Sequence, residues 1–188
     1  MRQCRVPVLP IRLIAGLMAC LSLPGLARAE EPLFSAEGYR LTHYRSPTPA
    51  TSEHATTLDT PALQLLLGRQ PQTRLIDVYR RQWLHGLFIE DEAHANLPGS
   101  LWLANTGDGR LDPPWQAYFV RHLERASQGD RHWPLVFYCR SDCWLGWNAV
   151  KRAHGLGYDN LYWYRDGIDA WAQAGLPLQP AQPQALTD

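Results

Sequence analysis

An α/β fold is what this sequence predicts, with a central parallel sheet covered by helices on both faces. Three observations predict it. Short apolar runs alternate with segments of helical periodicity, which is the pattern of strands joined by helical crossovers. Asp, Pro and Gly punctuate those segments where helices begin and end. One cysteine follows directly on an apolar run, at the carboxyl end of a predicted strand, where parallel sheets place their ligands. Taken in order, Gly38 to Arg45 reads as a short strand and Ser46-Pro47-Thr48-Pro49 as a loop. Asp59 or Thr60 caps a helix that has Pro61 in its first turn and Gly68 at its end. Arg74–Tyr79 and Ser100–Leu103 read as strands. Asp112 caps a helix opened by Pro113, whose apolar face is Trp115, Tyr118, Phe119, His122, Leu123 and Ala126. Leu135–Tyr138 is the next strand and Leu145–His154 the next helix, ending near Gly155. Asn160–Tyr164 and Ile168–Ala174 complete the series, with Gly175 after the last helix.

The amino terminus has the marks of an export signal. Arg2, Arg5 and Arg12 precede an apolar stretch from Leu13 to Leu26, and Ala27-Arg28-Ala29 fits the small-x-small cleavage rule. Residues 1–29 are therefore expected to be a cleaved signal peptide, and the protein periplasmic. Pro24, Gly25 and Arg28 interrupt the apolar run before it reaches the length of a membrane span, so no stable membrane insertion is expected after cleavage. Leu17-Met18-Ala19-Cys20 loosely fits a lipid-attachment box, which leaves a lipoprotein anchored at Cys20 as the alternative. Residues 30–57 read as an N-terminal extension, 58–178 as the folded domain, and 179–188 as a flexible Pro/Gln-rich tail. Removal of 29 residues from the 188, with four arginines and no acidic residue among them, leaves 159 residues of formal charge −4. That balance argues against nucleic acid as a partner. The eight tryptophans and eight tyrosines exceed the needs of a small core, so an aromatic surface patch for a protein partner is expected.

Cleavage also removes Cys4 and Cys20, leaving Cys139 and Cys143 alone in an oxidising compartment. The run Tyr138-Cys139-Arg140-Ser141-Asp142-Cys143-Trp144 feeds a helix N-terminus, where backbone N–H groups and the helix dipole stabilise a thiolate. Arg140 adds positive charge, and Asp142 opposes it. No glycine lies between Cys139 and Leu145, so any left-handed turn falls on Ser141 or Asp142, of which Asp tolerates it better. On a continuous helix, residues four apart hold their Cβ atoms about 5–6 Å apart. A disulfide wants roughly 3.5–4.5 Å. The pair can close only if the chain stays non-helical through Cys143 or if the loop adjusts. Three uses of the two sulfurs stay open: dithiol–disulfide exchange, Cu(I) binding with His85 or His94 as a third ligand, and a structural role. The sixth position after Cys139 is Leu145, which excludes a phosphatase loop with its arginine clamp. Asp77, at a strand end, is expected to tie a loop N–H or brace the cysteine loop. Trp144 and Trp147 can wall the cysteines, Asn148 can bond the loop backbone, and Lys151 and Arg152 read as a solvated helix face.

Several of these segments together resemble a rhodanese-like domain. Leu75-Ile76-Asp77-Val78, Asn96-Leu97-Pro98-Gly99-Ser100, Gly157-Tyr158-Asp159-Asn160-Leu161 and Asp166-Gly167-Ile168-Asp169-Ala170-Trp171 with Gly175-Leu176-Pro177 resemble that family's motifs in their order. The resemblance covers roughly residues 59–178 and puts Cys139 at the family's sulfur-carrying position. It implies a rhodanese-like α/β domain and, as one activity, sulfur transfer through a persulfide on Cys139. Cys143 would attack such a persulfide and release sulfide, which favours a thiol switch, with Cys139 the attacking thiol and Cys143 the resolving one. A narrower resemblance is to a periplasmic rhodanese-like group named for a C-x-x-x-C-W motif and associated with pyrroloquinoline quinone-dependent alcohol catabolism. Cys139, Cys143 and Trp144 carry it, with Trp147-Asn148-Ala149, Lys151-Arg152-Ala153 and Trp102-Leu103-Ala104-Asn105. It implies support of quinoprotein alcohol oxidation, with a dehydrogenase, a cytochrome or a maturation factor as partner. The quinone itself is not expected to bind this chain. A non-catalytic partner-binding module is the remaining alternative.

Overall fold

The computed structural model describes residues 31–90 and 92–187. The expected signal peptide, with Cys4, Cys20 and the cleavage site, lies outside the described residues. In chain order the elements are β1 (Thr56–Leu58), α1 (Thr60–Arg69), β2 (Arg74–Asp77), β3 (Trp83–Leu84), β4 (Leu87–Phe88), β5 (Ala95–Asn96) and β6 (Leu101–Trp102). They continue as α2 (Pro113–Ser127), β7 (Leu135–Tyr138), α3 (Trp144–Gly155), β8 (Leu161–Tyr164), α4 (Gly167–Gln173) and β9 (Gln179–Pro180).

Five strands form one parallel sheet in the order β1-β8-β7-β2-β6. Alternate residues of each strand serve opposite faces, so a strand buried on both sides is apolar throughout, as β7 is. Leu75, Val136 and Tyr164 meet Leu63 of α1 and Trp171 of α4 on one face. Ile76, Phe137 and Trp163 meet Tyr118, Phe119 and Leu123 of α2 and Ala149, Val150 and Ala153 of α3 on the other. The apolar face predicted for α2 is the buried one, with Trp115 only partly covered. Asp59 caps α1, its Oδ1 accepting from Ala62 N at 2.8 Å.

Several expectations are corrected. Gly68 lies within α1, which runs to Arg69 and ends on Gln70. Residues 38–45 form isolated bridges rather than a strand, Phe34 with Arg40 and Arg45 with Cys143. The extension is not separate from the domain: β1 lies mostly within it and joins the main sheet beside β8. The tail, expected to be flexible, is tied down. β9 pairs antiparallel with β5, Gln184 N donates to Trp102 O at 2.9 Å, and Arg121 Nη2 donates to Leu186 O at 2.6 Å. Half of the tryptophans and tyrosines are buried, among them Trp102, Trp163, Tyr118 and Tyr164. The others are half-buried, and among the described residues the exposed large apolar side chains are Leu33, Phe34, Leu65, Leu84 and Leu87.

The chain from Leu33 to Ser46 is a strap across the start of α3. Asn148, fully buried on α3, accepts from Arg40 N at 2.9 Å and donates Nδ2 to Arg40 O and Gly107 O, each at 2.9 Å. Asn148 thus fastens the strap, not the cysteine loop as the sequence suggested. The Arg40 guanidinium lies 4.9 Å from the Trp144 ring and 5.2 Å from Phe34, and Nε donates to Thr42 O at 2.7 Å. Gly109 permits the close approach: a Cβ there would collide with Arg40 O. Arg152 is not a solvated side chain either. It donates to Thr106 O and Asp108 O, each at 2.6 Å, and its guanidinium lies 4.9 Å from the Tyr39 ring. Asn148→Ala strands buried partners on both the strap and the 107 loop. It is expected to cost about 2–4 kcal/mol, read as a lower urea midpoint, and to make cleavage after Arg40 or Arg45 by trypsin faster.

Candidate functional site

The site is built where β7 ends. Cys139 follows Tyr138 directly, and Arg140 to Asp142 form the turn that leads to α3. Asp142 takes the left-handed conformation, φ 49°, the role the missing glycine left to it. Cys143 is still extended, φ −128° and ψ 114°, and caps α3, whose first residue is Trp144. The chain therefore stays non-helical through Cys143, which is the condition the spacing set. The two Cα atoms lie 6.3 Å apart and a Cys139–Cys143 disulfide joins the sulfurs. Both residues are only 2% exposed.

Two sets of bonds hold this loop. On the Cys139 side, the turn before α4 grips it. Ile168 N donates to Cys139 O at 3.0 Å and Ser141 Oγ donates to Asp166 O at 2.6 Å. Gly167, at φ 61°, presses so close that a Cβ would fall 2.6 Å from Cys139 O. Asp169 accepts from Arg140 Nε and Nη2 at 3.1 and 2.8 Å and from Ser141 N at 3.0 Å. Arg140 is thus neutralised rather than offered to an anionic donor, a correction to its expected role. On the Cys143 side, the strap pairs with the loop. Ser46 N donates to Asp142 O at 3.0 Å and Trp144 N donates to Tyr44 O at 2.9 Å. Trp144 Nε1 donates to Ser46 Oγ at 3.1 Å, and the Trp144 and Trp147 rings meet edge-on at 5.4 Å. Trp144 is covered by the strap, while Trp147 packs at the margin of the core.

Asp77 is fully buried. Its Oδ1 accepts from Tyr79 N at 2.9 Å, and its Oδ2 is 2.6 Å from His94 Nε2. Burial pushes its carboxyl up, and the hydrogen bond and charge of His94 pull against that shift. Asp77 ties a loop N–H as expected, that of Tyr79, whose ring lies 5.8 Å from the Arg140 guanidinium of the cysteine loop. His94 is committed to this pair, and His85 sits in the hairpin turn between β3 and β4. Among the described residues no three His, Cys, Asp or Glu side chains gather as a metal site. A third ligand to Cu(I) would have to come from elsewhere.

A cleft of about 400 Å³ opens between the strap and the segment after β2, lined by His43, Tyr44, Arg45, Tyr79, Arg80, Cys143 and Leu145. Arg80 donates to Asp108 Oδ1 at 2.6 Å, and its guanidinium lies 4.4 Å from the Tyr44 ring. Sequence reasoning missed Asp169, Arg40, Tyr44 and Arg80. Asp169 follows Gly167 within a quoted motif and was the one findable from sequence. The other three depend on a fold-back that no local pattern encodes.

Asp169 also gives the loop a pH dependence. Burial alone would raise its carboxyl, but Arg140, the Ser141 N–H and Arg45 together hold it below its usual 3.8. A depressed folded pKa contributes stability above the unfolded value, which is lost as pH falls through the folded one. Asp169→Asn is expected to flatten the fall in urea midpoint below about pH 4. At pH 7 it is expected to speed reduction of the Cys139–Cys143 disulfide by dithiothreitol several-fold.

A family model described as the rhodanese-like domain matches residues 60–174. Among solved structures, the chain is similar to a thiosulfate sulfurtransferase from Pseudomonas aeruginosa, at 17% identity and a TM-score of 0.49, over 70% of this chain and 21% of that one. It thus spans about a fifth of that enzyme's chain. It is also similar to the polysulfide-sulfur transferase homodimer of Wolinella succinogenes, at 19% identity and a TM-score of 0.45, over 67% of this chain and 79% of that one. No curated protein matches. Among the described residues no helix is long and apolar enough to cross a membrane. The match to the family model takes in most of the main sheet, the cysteine loop and all four helices, and the chain belongs to the rhodanese-like domain family.

Proposed function

We propose that this protein is a periplasmic thiol–disulfide exchange protein whose working group is the Cys139–Cys143 pair. The observation that carries the reading is the disulfide itself, formed within a loop that ends in an extended Cys143. A persulfide carrier needs its loop N–H groups free to ring the sulfur. Here Ser141 N is committed to Asp169 Oδ2 and Trp144 N to Tyr44 O. An internal disulfide instead leaves the protein ready to oxidise a partner's thiols or, once reduced, to reduce a partner's disulfide. The position of Cys139 directly after β7 keeps sulfur transfer as the second reading. The resemblance of Cys139, Cys143 and Trp144 to the C-x-x-x-C-W group supports a setting in quinone-dependent alcohol oxidation. A dehydrogenase, a cytochrome or a maturation factor would then be the partner.

Mass spectrometry of protein isolated from the periplasm, without reductant, is expected to find a chain beginning at Glu30 with a closed disulfide and no added sulfur. Growth on an alcohol substrate separates the readings. Exchange requires both Cys139→Ser and Cys143→Ser to fail in restoring growth to a deletion strain. Sulfur transfer requires Cys143→Ser to keep or raise sulfur delivery to cyanide while Cys139→Ser abolishes it. A binding module requires the double serine variant to restore growth fully.

A further inference from the structure

The geometry points to Cys143, not Cys139, as the sulfur that meets the partner, with an anionic thiol as the entering group; this rests on the exchange reading above. The two sulfurs are equally buried by residue, so overall exposure does not rank them. Their surroundings do. Cys143 lines the cleft between the strap and the segment after β2, and Cys139 does not. On the Cys139 side the backbone is held by the turn into α4, where Gly167 packs against the backbone of Cys139 and Arg140 and Ile168 N donates to Cys139 O. Cys143 is also the N-cap of a 12-residue helix, so a thiolate formed there lies at the positive end of the α3 dipole, although Trp144 N is given to Tyr44 O. Arg45 and Arg80 stand on the walls of the same cleft and face no acidic lining residue. Both have acidic partners outside the lining, Asp169 at 3.9 Å for Arg45 and Asp108 for Arg80. The cleft is therefore suited to a thiol flanked by carboxylates.

The exchange balances as follows. An entering thiolate attacks Cys143 Sγ and forms a new S–S bond, while the Cys139–Cys143 bond breaks and Cys139 leaves as thiolate. The proton given up by the entering thiol returns to Cys139. A second thiol of the same partner attacks the partner's sulfur in the mixed disulfide and releases the Cys143 thiolate, which takes up that thiol's proton. The partner has then lost two electrons and formed a disulfide, and this protein has gained them as two thiols. In the reducing direction Cys143 attacks and Cys139 resolves, the reverse of the order that the family position of Cys139 implies.

The test uses the wild-type protein with reduced glutathione, an anionic thiol, and with cysteamine, a cationic one. The mixture is quenched in acid before exchange completes, and the adduct is located by peptide mass spectrometry. Glutathione on Cys143, added faster per thiolate than cysteamine, is the expected result. Glutathione on Cys139 overturns the assignment while leaving exchange intact. An equal or slower rate for glutathione overturns the anionic preference. A folded disulfide that neither thiol opens overturns the exchange reading, and this inference with it. Single-cysteine variants give an independent measure with oxidised glutathione. Cys143 in Cys139→Ser is expected to react at least about tenfold faster at pH 7 than Cys139 in Cys143→Ser, with a lower midpoint in its pH profile. The reverse order overturns it.

Discussion

The backbone pairing between Tyr44–Ser46 and Asp142–Trp144 is the constraint on which the site depends. Two hydrogen bonds, Ser46 N to Asp142 O and Trp144 N to Tyr44 O, hold Cys143 in an extended conformation. Had α3 begun a turn earlier, the two cysteines would stand on successive turns, too far apart at Cβ for an unstrained bridge. The strap thus decides that the sulfurs meet. Asp142 completes the geometry with a left-handed turn that costs a non-glycine residue something, a cost an Asp bears better than most.

A parallel sheet offers an opening beyond the carboxyl ends of its strands. Here the cysteine loop at that opening is held on two sides. Asp169 and the turn into α4 hold the loop on the Cys139 side, and the strap and Arg80 frame the cleft that Cys143 lines. Charge follows the same division. Both arginines are half-exposed, but Arg140 is paired with Asp169 at 2.8 Å, whereas Arg45 has only a 3.9 Å contact to the same carboxylate. The chemistry assigned to the loop therefore follows from its neighbours more than from its own five residues.

How legible this was from sequence depends on range. The order of strands and helices from α1 to α4 was readable, because apolar runs and helical spacing are local signals, and the buried face of α2 came out residue by residue. The cysteine loop was readable in part: the absence of glycine left Ser141 or Asp142 as the turn residue, with Asp the better suited, and the spacing made a non-helical Cys143 the condition for a bridge without saying whether one forms. Arg40, Tyr44 and Asn148 were not, since their roles exist only once the strap folds back some hundred residues along the chain, as the contact of Asn148 with Arg40 shows at a separation of 108. β1, three residues of Thr-Thr-Leu, is too short to show a period. The tail misled because Pro and Gln signal a loose chain, while its main-chain groups are bonded by Arg121 and Tyr118.

Both margins of the main sheet are guarded by chain that falls outside the family match. β1 covers the open side of β8, and Gln184 bonds the outer edge of β6. A fragment trimmed to residues 60–174 would expose both as unpaired edges, the template on which strands of other copies add. Poor solubility of such a fragment would then reflect its bared edges rather than the native chain.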